Sequence, residues 1–429
     1  MTTTSRAVAP ARSWLLALML LFLLHGLFFS NWVSRSPEVQ DLLRFSTFQM
    51  GILATIMTVG AITGTYFGVA LVSRLGARNI VRTTYLGLSA AYVILGFSVS
   101  AGDVLITSVM VFVIGFTSSV GGLSNNLEGS RLDYLSRRSI LPSLHGMFSL
   151  GLLLGAGLGA LFLSWQVPLA VQFTGMAIFV ALGGLVGANG IPRSKGRGIR
   201  EDMSTSEIRQ LPSRAEARNV WREPRTVWIA FIGLSFVLAE SAAATWLPIA
   251  LVDSGMSQAD GALGFMFFAI AMTVGRFGGG FVMDVIGRVK TTALIATIAC
   301  AGIIIVMANE MLQAPYIGAF LWGLGCSLGF PIVVSALSDD QRLAPPRVNA
   351  LVMTAQVSNL AAGPALGGLG QVFGLFGAFA LPLAFLGVAA GASRVTAPLR
   401  KSGKELDAAP TGVIDVVQVI AQREVDDIQ

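Results

Sequence analysis

The sequence predicts an all-α membrane protein in which twelve transmembrane helices form two pseudo-symmetric six-helix bundles. Of its 429 residues, 54% are hydrophobic and only 12% are charged, and the mean hydropathy is +0.72. A soluble domain usually carries about 25% charged residues, so this chain has too few charges to cover a surface that faces water. Three observations lead to the arrangement: the number of apolar runs, the side on which the cations fall, and a repeat between the two halves of the chain.

Twelve apolar runs are long enough to cross a bilayer, which takes about 20 residues. Several of them contain Gly or Pro, which membrane helices tolerate where neighbouring helices satisfy the freed backbone groups. The first run follows Arg6 and Arg12 as a signal peptide would, but it lacks a convincing cleavage site, so we expect it to remain as the first helix. The predicted spans are 13–33, 47–72, 80–100, 104–127, 140–163, 167–188, 227–250, 261–283, 291–309, 314–337, 348–370 and 373–393.

The lysines and arginines divide unequally between the two sides of the predicted membrane. If the termini and the segments after even-numbered spans share one side, that side holds 26 of the 29 Lys and Arg residues. Arg35 and Arg44 lie on the other side, and Arg276 lies within a span. Because short cytoplasmic segments are enriched in basic residues, we expect a multi-pass protein of the inner or plasma membrane with both termini in the cytoplasm.

The longest connection separates the two halves of the chain. Residues 189–226 contain nine basic residues and predict a cytoplasmic linker between an N-terminal bundle, 1–188, and a C-terminal bundle, 227–396. Residues 397–429 then form a cytoplasmic tail. The cations of the linker could contact anionic lipid, but a solvated linker that fixes the topology is the simpler interpretation.

A short charged turn interrupts the apolar sequence after the eighth span and has a counterpart after the second. The two stretches read "GGFVMDVIGRVK" (279–290) and "GVALVSRLGARNIVR" (68–82). Each stretch predicts a tight glycine turn between two helices, with charged residues at the helix ends, where the helix dipole favours opposite charges. Contacts between such a turn and neighbouring helices could lock the protein in one conformation and break in another. Trp32 and Trp246 repeat in the first span of each half. The candidate gating residues are Arg74, Gly76, Arg78, Arg276, Gly280, Asp284, Gly287 and Arg288.

The pattern G-x-x-x-D-x-x-G-R at 280–288 resembles the hallmark loop of the major facilitator superfamily, at the position where that family repeats it. In the first copy, Ser73 stands where the family usually has Asp. The resemblance covers essentially the whole chain and implies alternating access, in which the two halves rock about a central site near the midplane. The stretches that resemble the fucose-permease-like branch are "NWVSRSPEV" (31–39), "SLHGMFSLG" (143–151) and "AESAAATW" (239–246).

Glu240 is the leading candidate for the central site. It lies about 18 Å into the seventh span at 1.5 Å per residue, close to the bilayer centre. A charge at that depth is unfavourable unless it is paired or hydrated, and burial favours the neutral carboxyl, so Glu240 could carry a proton. Direct hydrogen bonding to substrate and a structural ion pair with Arg276 are the alternatives. For Arg276, a pair with Glu240 or Asp284 competes with a substrate or gate contact.

Other polar and aromatic side chains could line a cavity. His25, Phe29 and Trp32 share one helical face, and aromatic faces with amides suit a sugar, although tryptophans near span ends are also typical of interfacial belts. Glu128 could instead form an ion pair with Arg131, and the remaining groups could make ordinary interhelical hydrogen bonds. The further cavity candidates are Asn125, Asn126, Glu128, His145, Trp246, Gln356 and Asn359.

These features predict a secondary transporter that moves a small polar solute, with sugar-like compounds as the leading class, by proton symport. The expected partners are the solute, protons and the lipid bilayer, with no nucleic acid, metal or other cofactor, and we expect a monomer. The alternative is a proton-driven efflux antiporter of drugs or metabolites. It is suggested by "GLLLGAGLGA" (151–160), which resembles the span-five motif of the family's antiporters with Ala156 in place of its proline.

Two other classes fit the sequence less well. A membrane enzyme would need a nucleophile, a base or metal ligands clustered around one cavity, and no such cluster is evident. A receptor or scaffold would need a larger soluble domain than the linker and tail provide. The chain also lacks the G-x-x-x-x-G-K-[ST] motif of ATP-driven transport.

We predict that reporters fused at residue 1 and at residue 429 both report from the cytoplasm, because the basic residues lie on that side. Fusion to paired reporters that are active only inside or only outside the cell measures this, with a fusion between Arg35 and Arg44 as the outside control. Termini in different compartments, or a segment near residue 205 that is reachable from outside, would show that the topology is wrong.

Overall fold

The computed structural model of the chain describes residues 8–136, 140–192, 219–309, 314–339 and 343–399, and it contains no β-strand in those ranges. Most of the predicted linker and nearly all of the predicted tail lie outside the described residues. Two 3-10 helices, Val220–Arg222 and Ser393–Thr396, flank the second half. The helices are α1 (Val8–Leu43), α2 (Thr47–Leu75), α3 (Ala77–Ser100), α4 (Val104–Ser136), α5 (Leu141–Ser164), α6 (Leu169–Gly190), α7 (Pro224–Asp253), α8 (Gln258–Ile286), α9 (Arg288–Met307), α10 (Pro315–Leu337, interrupted between Cys326 and Gly329), α11 (Ala344–Ala378) and α12 (Ala380–Gly391).

Eleven of these helices in the described part of the chain are long and apolar enough to cross a membrane, and α12 is shorter. The last span is longer than α12, because its first residues are assigned to the end of α11. Within α11, Gly374 has φ +74° and ψ 159°, values that no α-helix adopts. The chain therefore turns at Gly374, and the residues that follow it belong with α12 to the last span. This boundary lies inside the predicted span 373–393, and the prediction of an all-α, twelve-span protein is confirmed.

The backbone repeats between the two halves at its left-handed residues. Ser46 and Ser257 each cap the helix that follows, and in both cases the side chain three residues later returns the hydrogen bond to the cap. Because few residues other than glycine adopt positive φ, matched positions of this kind are a strong sign of a shared structure. The matched pairs are Arg44 (φ 53°) with Gly255 (φ 94°), Gly76 (φ 79°) with Gly287 (φ 80°), and Gln166 (φ 54°) with Gly374 (φ 74°).

Helix packing repeats in the same way. In the first half α1 packs against α5 and α6, α2 against α4, and α3 against α4 and α6. In the second half α7 packs against α11 and α12, α8 against α10, and α9 against α10 and α12. Between the halves, α2 packs against α11 and α5 packs against α8. Two pseudo-symmetric bundles therefore meet along two helix pairs, and these pairs form the seams on either side of the space between the bundles.

The α2–α11 seam depends on glycine. A Cβ atom at Gly51 would collide with the carbonyl oxygen of Gly363, and one at Gly363 would lie 2.6 Å from the carbonyl oxygen of Gly51. One turn further along α11, a Cβ at Gly367 would lie 2.9 Å from the carbonyl oxygen of Thr47. Small residues let helix backbones approach closely in a membrane, where no hydrophobic effect drives helices together. The two bundles are therefore closed against each other at the end where α2 begins.

A buried arginine connects α1 to α6 at this same end. Arg35 belongs to α1 rather than to the loop that hydropathy predicts after the first span, and its side chain is only 1% exposed. Its Nε donates to Oε1 of Gln172 at 2.7 Å, its Nη2 donates to the carbonyl of Val167 at 2.8 Å, and its Nη1 pairs with Glu38. These partners compensate the charge, so the helix continues past the apolar run that ends at Val33.

A carboxylate connects several elements at the opposite end of the second half. Asp339 accepts hydrogen bonds from Nη2 of Arg225 at 2.7 Å and Nη2 of Arg288 at 2.8 Å, and from the backbone N–H of Leu399 at 3.3 Å. Arg225 also donates to the carbonyl of Ala397 at 2.9 Å. Burial by itself raises the pKa of Asp339, but the hydrogen bonds from Arg288 and Arg225 outweigh burial and hold that pKa below its usual value.

We predict that Gly363→Val destabilises the protein by about 1–3 kcal/mol, the usual penalty for overpacking, and that it opens the α2–α11 seam. Thermal unfolding in detergent measures the first effect, and maleimide labelling of a single cysteine placed at Thr55 measures the second. Gly175→Val is the matched control, because a Cβ at Gly175 meets no atom within 4 Å. Equal effects of the two substitutions would contradict a specific role for the seam.

We predict that Asp339→Asn lowers stability at pH 7 by about 1.5–3 kcal/mol, the range for a hydrogen bond to a charged group. Because the pKa of Asp339 is lowered in the folded protein, its contribution is present above the usual aspartate pKa of 3.8 and is lost as the pH falls through the folded value. The difference in Tm between wild type and variant should therefore be full at pH 7 and shrink below about pH 4. Asp284→Asn is the control, since Asp284 is exposed, and a difference that is independent of pH would contradict the assignment.

Candidate functional site

A cavity of about 620 Å³ lies between the two bundles, and a smaller space of about 230 Å³ continues it toward the α2–α11 seam. The two spaces are adjacent, because Phe29, Trp32, Gln356 and Asn359 line both. The larger volume is within the range of about 300–1,000 Å³ that small-molecule sites occupy. Its walls come from α1, α2, α4, α5, α7, α8 and α11, so both halves of the protein contribute to it.

The first half contributes the aromatic wall. His25, Phe29 and Trp32 all line the cavity, as their shared face on α1 predicts. Nε2 of His25 lies 3.1 Å from Oγ of Ser118 on α4, and the imidazole ring packs 5.8 Å from the ring of Phe148 on α5. His25 therefore contacts two neighbouring helices, α4 and α5, and adds a polar group to a largely apolar wall.

The second half contributes uncharged hydrogen-bonding groups. Gln356 and Asn359 of α11 line the cavity beside Ser241 of α7. The hydroxyl of Ser241 donates to Oδ1 of Asn359 and so orients that amide. Gln356 has no hydrogen-bond partner among the described residues, so its amide is available to a solute. This wall can donate and accept hydrogen bonds without any net charge.

An ion pair within the second half lies at the edge of the cavity, and its arginine also contacts the first half. Oε1 of Glu240, near the midpoint of α7, is 3.3 Å from Nη2 of Arg276 on α8. Nη1 of Arg276 donates to Oγ of Ser149 on α5, in the other half, at 2.9 Å. The side chains of Glu240 and Arg276 are 37% and 25% exposed, respectively, so neither is fully buried. Of the pairings that the sequence left open for Arg276, the structure shows the one with Glu240.

The three candidates near the end of α4 lie outside this cavity. Nδ2 of Asn125 donates to the hydroxyl of Tyr85 at 3.1 Å, and Nδ2 of Asn126 donates to the carbonyl of Gly122 in its own helix at 2.9 Å. Glu128 is buried, and its Oε2 has no hydrogen-bond partner among the described residues. None of the three lines the cavity, so the geometry gives them packing contacts within the first half.

His145 and Trp246 also lie away from the cavity lining. The ring of His145 packs edge-on against Phe22, with ring centroids 5.3 Å apart. Trp246 is fully buried, while its counterpart Trp32 faces the cavity. The repeat thus preserves the tryptophan but not its surroundings, and only the copy in α1 is placed to contact a solute.

The two glycine turns connect to helix ends rather than to the cavity. Gly76 and Gly287 are the left-handed residues that allow each turn. Nε of Arg78 donates to the carbonyl of Ile191, just after α6, at 2.8 Å, and Arg288 makes the contact with Asp339 described above. The exposed members of the candidate gating set are Arg74, Gly280, Asp284 and Gly287.

Several site residues had no signal in the sequence. Ser241, Ser118 and the Thr65–Ser119 pair, whose hydroxyl oxygens are 2.7 Å apart, are small polar residues of a kind that recurs throughout apolar helices. Only their positions in three dimensions distinguish them. Ser241 could have been noted for its place beside Glu240 in the sequence.

The chain is similar to known transport proteins in sequence and in fold. The family model described as Major Facilitator Superfamily matches residues 143–368. An uncharacterised MFS-type transporter of Yersinia pestis is 27% identical over 399 residues, which cover 91% of this chain and 98% of the relative.

Two solved structures share the fold at low sequence identity. A mutant of the nucleoside transporter NupG superposes with a TM-score of 0.70 at 12% identity, covering 89% of this chain and 99% of that one. The MFS transporter FucP in its outward conformation superposes with a TM-score of 0.62 at 16% identity, covering 90% and 100%. With the twelve-span repeat and the central cavity, these matches establish that the chain belongs to the Major Facilitator Superfamily and is a multi-pass membrane transporter rather than an enzyme.

Proposed function

We propose that this transporter is a proton-coupled symporter that moves a small polar solute through the central cavity by alternating access. The observation that carries the proposal is the Glu240–Arg276 pair. It places one protonatable carboxylate at the edge of a solute-sized cavity and links it through Ser149 to the other half of the protein.

The proton has a direct effect on this link. When the carboxylate of Glu240 takes up a proton, it loses its charge and its attraction to Arg276. The guanidinium is then free to change partners, including its contact with Ser149 across the α5–α8 seam. A change of charge at this point can therefore alter the balance between two arrangements of the bundles.

The movement requires a seam that can open. The α2–α11 contact is made by backbone atoms around Gly51 and Gly363, without ion pairs that would have to be desolvated and rebuilt. Rocking of the two bundles about the cavity would separate α2 from α11 at the end of the protein where α2 begins. The same motion would bring the bundles together at the opposite end. The twelve-span repeat supports such a motion because each bundle packs within itself.

The lining of the cavity supports a polar, hydroxylated solute. Amides and hydroxyls of α7 and α11 can exchange hydrogen bonds with hydroxyl groups, and Phe29 and Trp32 offer flat apolar faces of the kind on which sugar rings stack. Among the structural neighbours, NupG is a nucleoside transporter, and a nucleoside likewise combines a sugar with a flat ring. We therefore place sugar-like compounds first among the substrate classes.

Efflux of drugs or metabolites is the second candidate, and it rested on the glycine run of α5. In the structure this run packs against α1, since a Cβ at Gly151 would collide with the carbonyl oxygen of Leu23 and one at Gly155 would lie 3.0 Å from Cβ of Ser30. Close packing of two helices accounts for these glycines. The run therefore does not favour efflux over symport.

The membrane location and topology follow from the distribution of the basic residues. We propose a location in the inner or plasma membrane with both termini in the cytoplasm, because 26 of the 29 Lys and Arg residues share that side. In this orientation the closed α2–α11 seam faces outward, and the Asp339 cluster faces the cytoplasm. We propose that a single chain carries out transport, since the cavity lies within one chain.

We predict that Glu240→Gln abolishes uptake driven by a pH gradient but leaves exchange of preloaded solute, because glutamine cannot bind and release the proton. The solute is first identified by a thermal-shift screen of purified protein against sugars, organic acids and drugs, in which stabilisation follows occupancy. Transport is then measured in proteoliposomes.

Asp103→Asn serves as the control, because Asp103 caps α4 through the N–H of Ile106 at 2.9 Å and lies outside the cavity. Full proton-driven uptake by the Glu240→Gln protein would remove this residue from the coupling mechanism.

A further inference from the structure

The cavity has an unusual charge balance. Among the described residues that line it, Glu240 is the only Asp, Glu, Lys or Arg. Its partner Arg276 lies one helical turn beyond Met272, the last residue of α8 in the lining. The site is therefore neutral because one negative and one positive side chain cancel, and it holds no further charge that could replace either of them.

The neighbouring helices provide no substitute for the carboxylate of Glu240. The titratable groups that face the pair are His25 from α1, His145 from α5 and the thiol of Cys326 from α10. None of them is an anion near neutral pH. The groups that α11 presents are uncharged amides, and α12 contains no ionisable residue. Protonation of Glu240 would thus leave Arg276 without a counter-charge.

An uncompensated cation in this position is unfavourable. Removing one member of a partly buried ion pair leaves the other with its desolvation penalty and no attraction to offset it, and the penalty is larger at membrane depth. Proton binding to Glu240 is therefore energetically unfavourable when the cavity is empty or holds a neutral solute. An anion that enters with the proton restores the balance, because Arg276 exchanges one carboxylate for another.

We propose that the transported solute carries a carboxylate, which Arg276 binds when Glu240 is protonated, so that the proton and an acidic, hydroxylated solute bind together. This inference rests on the proposed proton-coupled function and narrows its substrate class from polar solutes to hydroxy acids and sugar acids. The planar guanidinium presents paired N–H groups that match a carboxylate. Ser149, which already accepts a hydrogen bond from Arg276, adds a hydroxyl beside that position.

The coupling is reciprocal. If the bound proton raises the affinity for the anion, the bound anion raises the affinity for the proton by the same factor. A neutral sugar would gain nothing from protonation of Glu240, because it brings no charge to Arg276. The two substrate classes therefore differ in how their binding depends on pH, and this difference can be measured without knowing the natural solute.

The test compares acids with alcohols of the same skeleton. Purified protein is titrated with gluconate and glucitol, glucuronate and glucose, and lactate and propane-1,2-diol, at pH 5.5 and pH 8, and Tm is recorded. We expect at least one acid to bind at least tenfold more tightly at pH 5.5 than at pH 8, and at least tenfold more tightly than its alcohol at pH 5.5.

Two variants separate the roles of the pair. Glu240→Gln is expected to bind the acid equally at both pH values, because the amide mimics the protonated carboxyl. Glu240→Gln combined with Arg276→Gln is expected to lose the preference for the acid. The Tm of each protein without ligand shows whether it is folded, and if Glu240→Gln does not fold, the pH series of the wild-type protein makes the same comparison.

The inference is overturned if no acid shifts the Tm, if each alcohol binds as tightly as its acid, or if the preference survives the loss of Arg276. Neutral-solute uptake that requires both a proton and Glu240 would overturn it while leaving the proposed function intact. Acid binding through Arg276 that is independent of pH in the wild-type protein would instead support the anion site and remove the proton coupling.

Discussion

Compensation of charge among apolar helices is the constraint on which the rest of this structure depends. Three charged side chains in the described part of the chain have partners that come from other elements of the fold. Arg35 joins two helices of the first half, Arg276 joins the two halves, and Asp339 joins the ends of the second half. Each of these contacts holds elements in register, because separating them would leave a charge unpaired. The pair with Glu240 differs from the others in that its carboxylate lines the cavity between the bundles.

Along the α2–α11 seam, the two bundles meet mainly through backbone and small side chains. Where α2 and α11 cross, the absence of Cβ atoms at Gly51 and Gly363 brings main chain against main chain. Such a contact relies on close van der Waals packing, which is lost and regained without rearranging hydrogen bonds. The polar contacts are concentrated within each bundle, and the apolar ones between bundles allow movement. This division explains how a single chain can be rigid in its halves and adjustable between them.

Sequence patterns predicted most of the fold and part of the site. Hydropathy and charge gave the spans, and the helical period placed His25 and Trp32 on one face, because both signals are local. Arg35 was assigned to a loop because hydropathy ends before it, and only the contact with Gln172 shows why the helix continues. Trp32 lines the cavity and Trp246 does not, and this difference depends on the neighbours of each copy, which no period within a helix reveals. The Glu240–Arg276 pair was one of several pairings that spacing allowed, and choosing among them required the crossing of α7 and α8.

The contacts of Asp339 have a practical consequence for protein engineering. This carboxylate binds Arg225, at the start of α7, and the backbone of Leu399, which follows the last helix by several residues. The second half is therefore completed only after the chain has left its final span and returned to the rim of the bundle. A purification tag or fluorescent fusion attached directly to α12 would remove contacts that hold α7, α9 and α10 together. Attachment points suited to expression and labelling lie beyond Leu399.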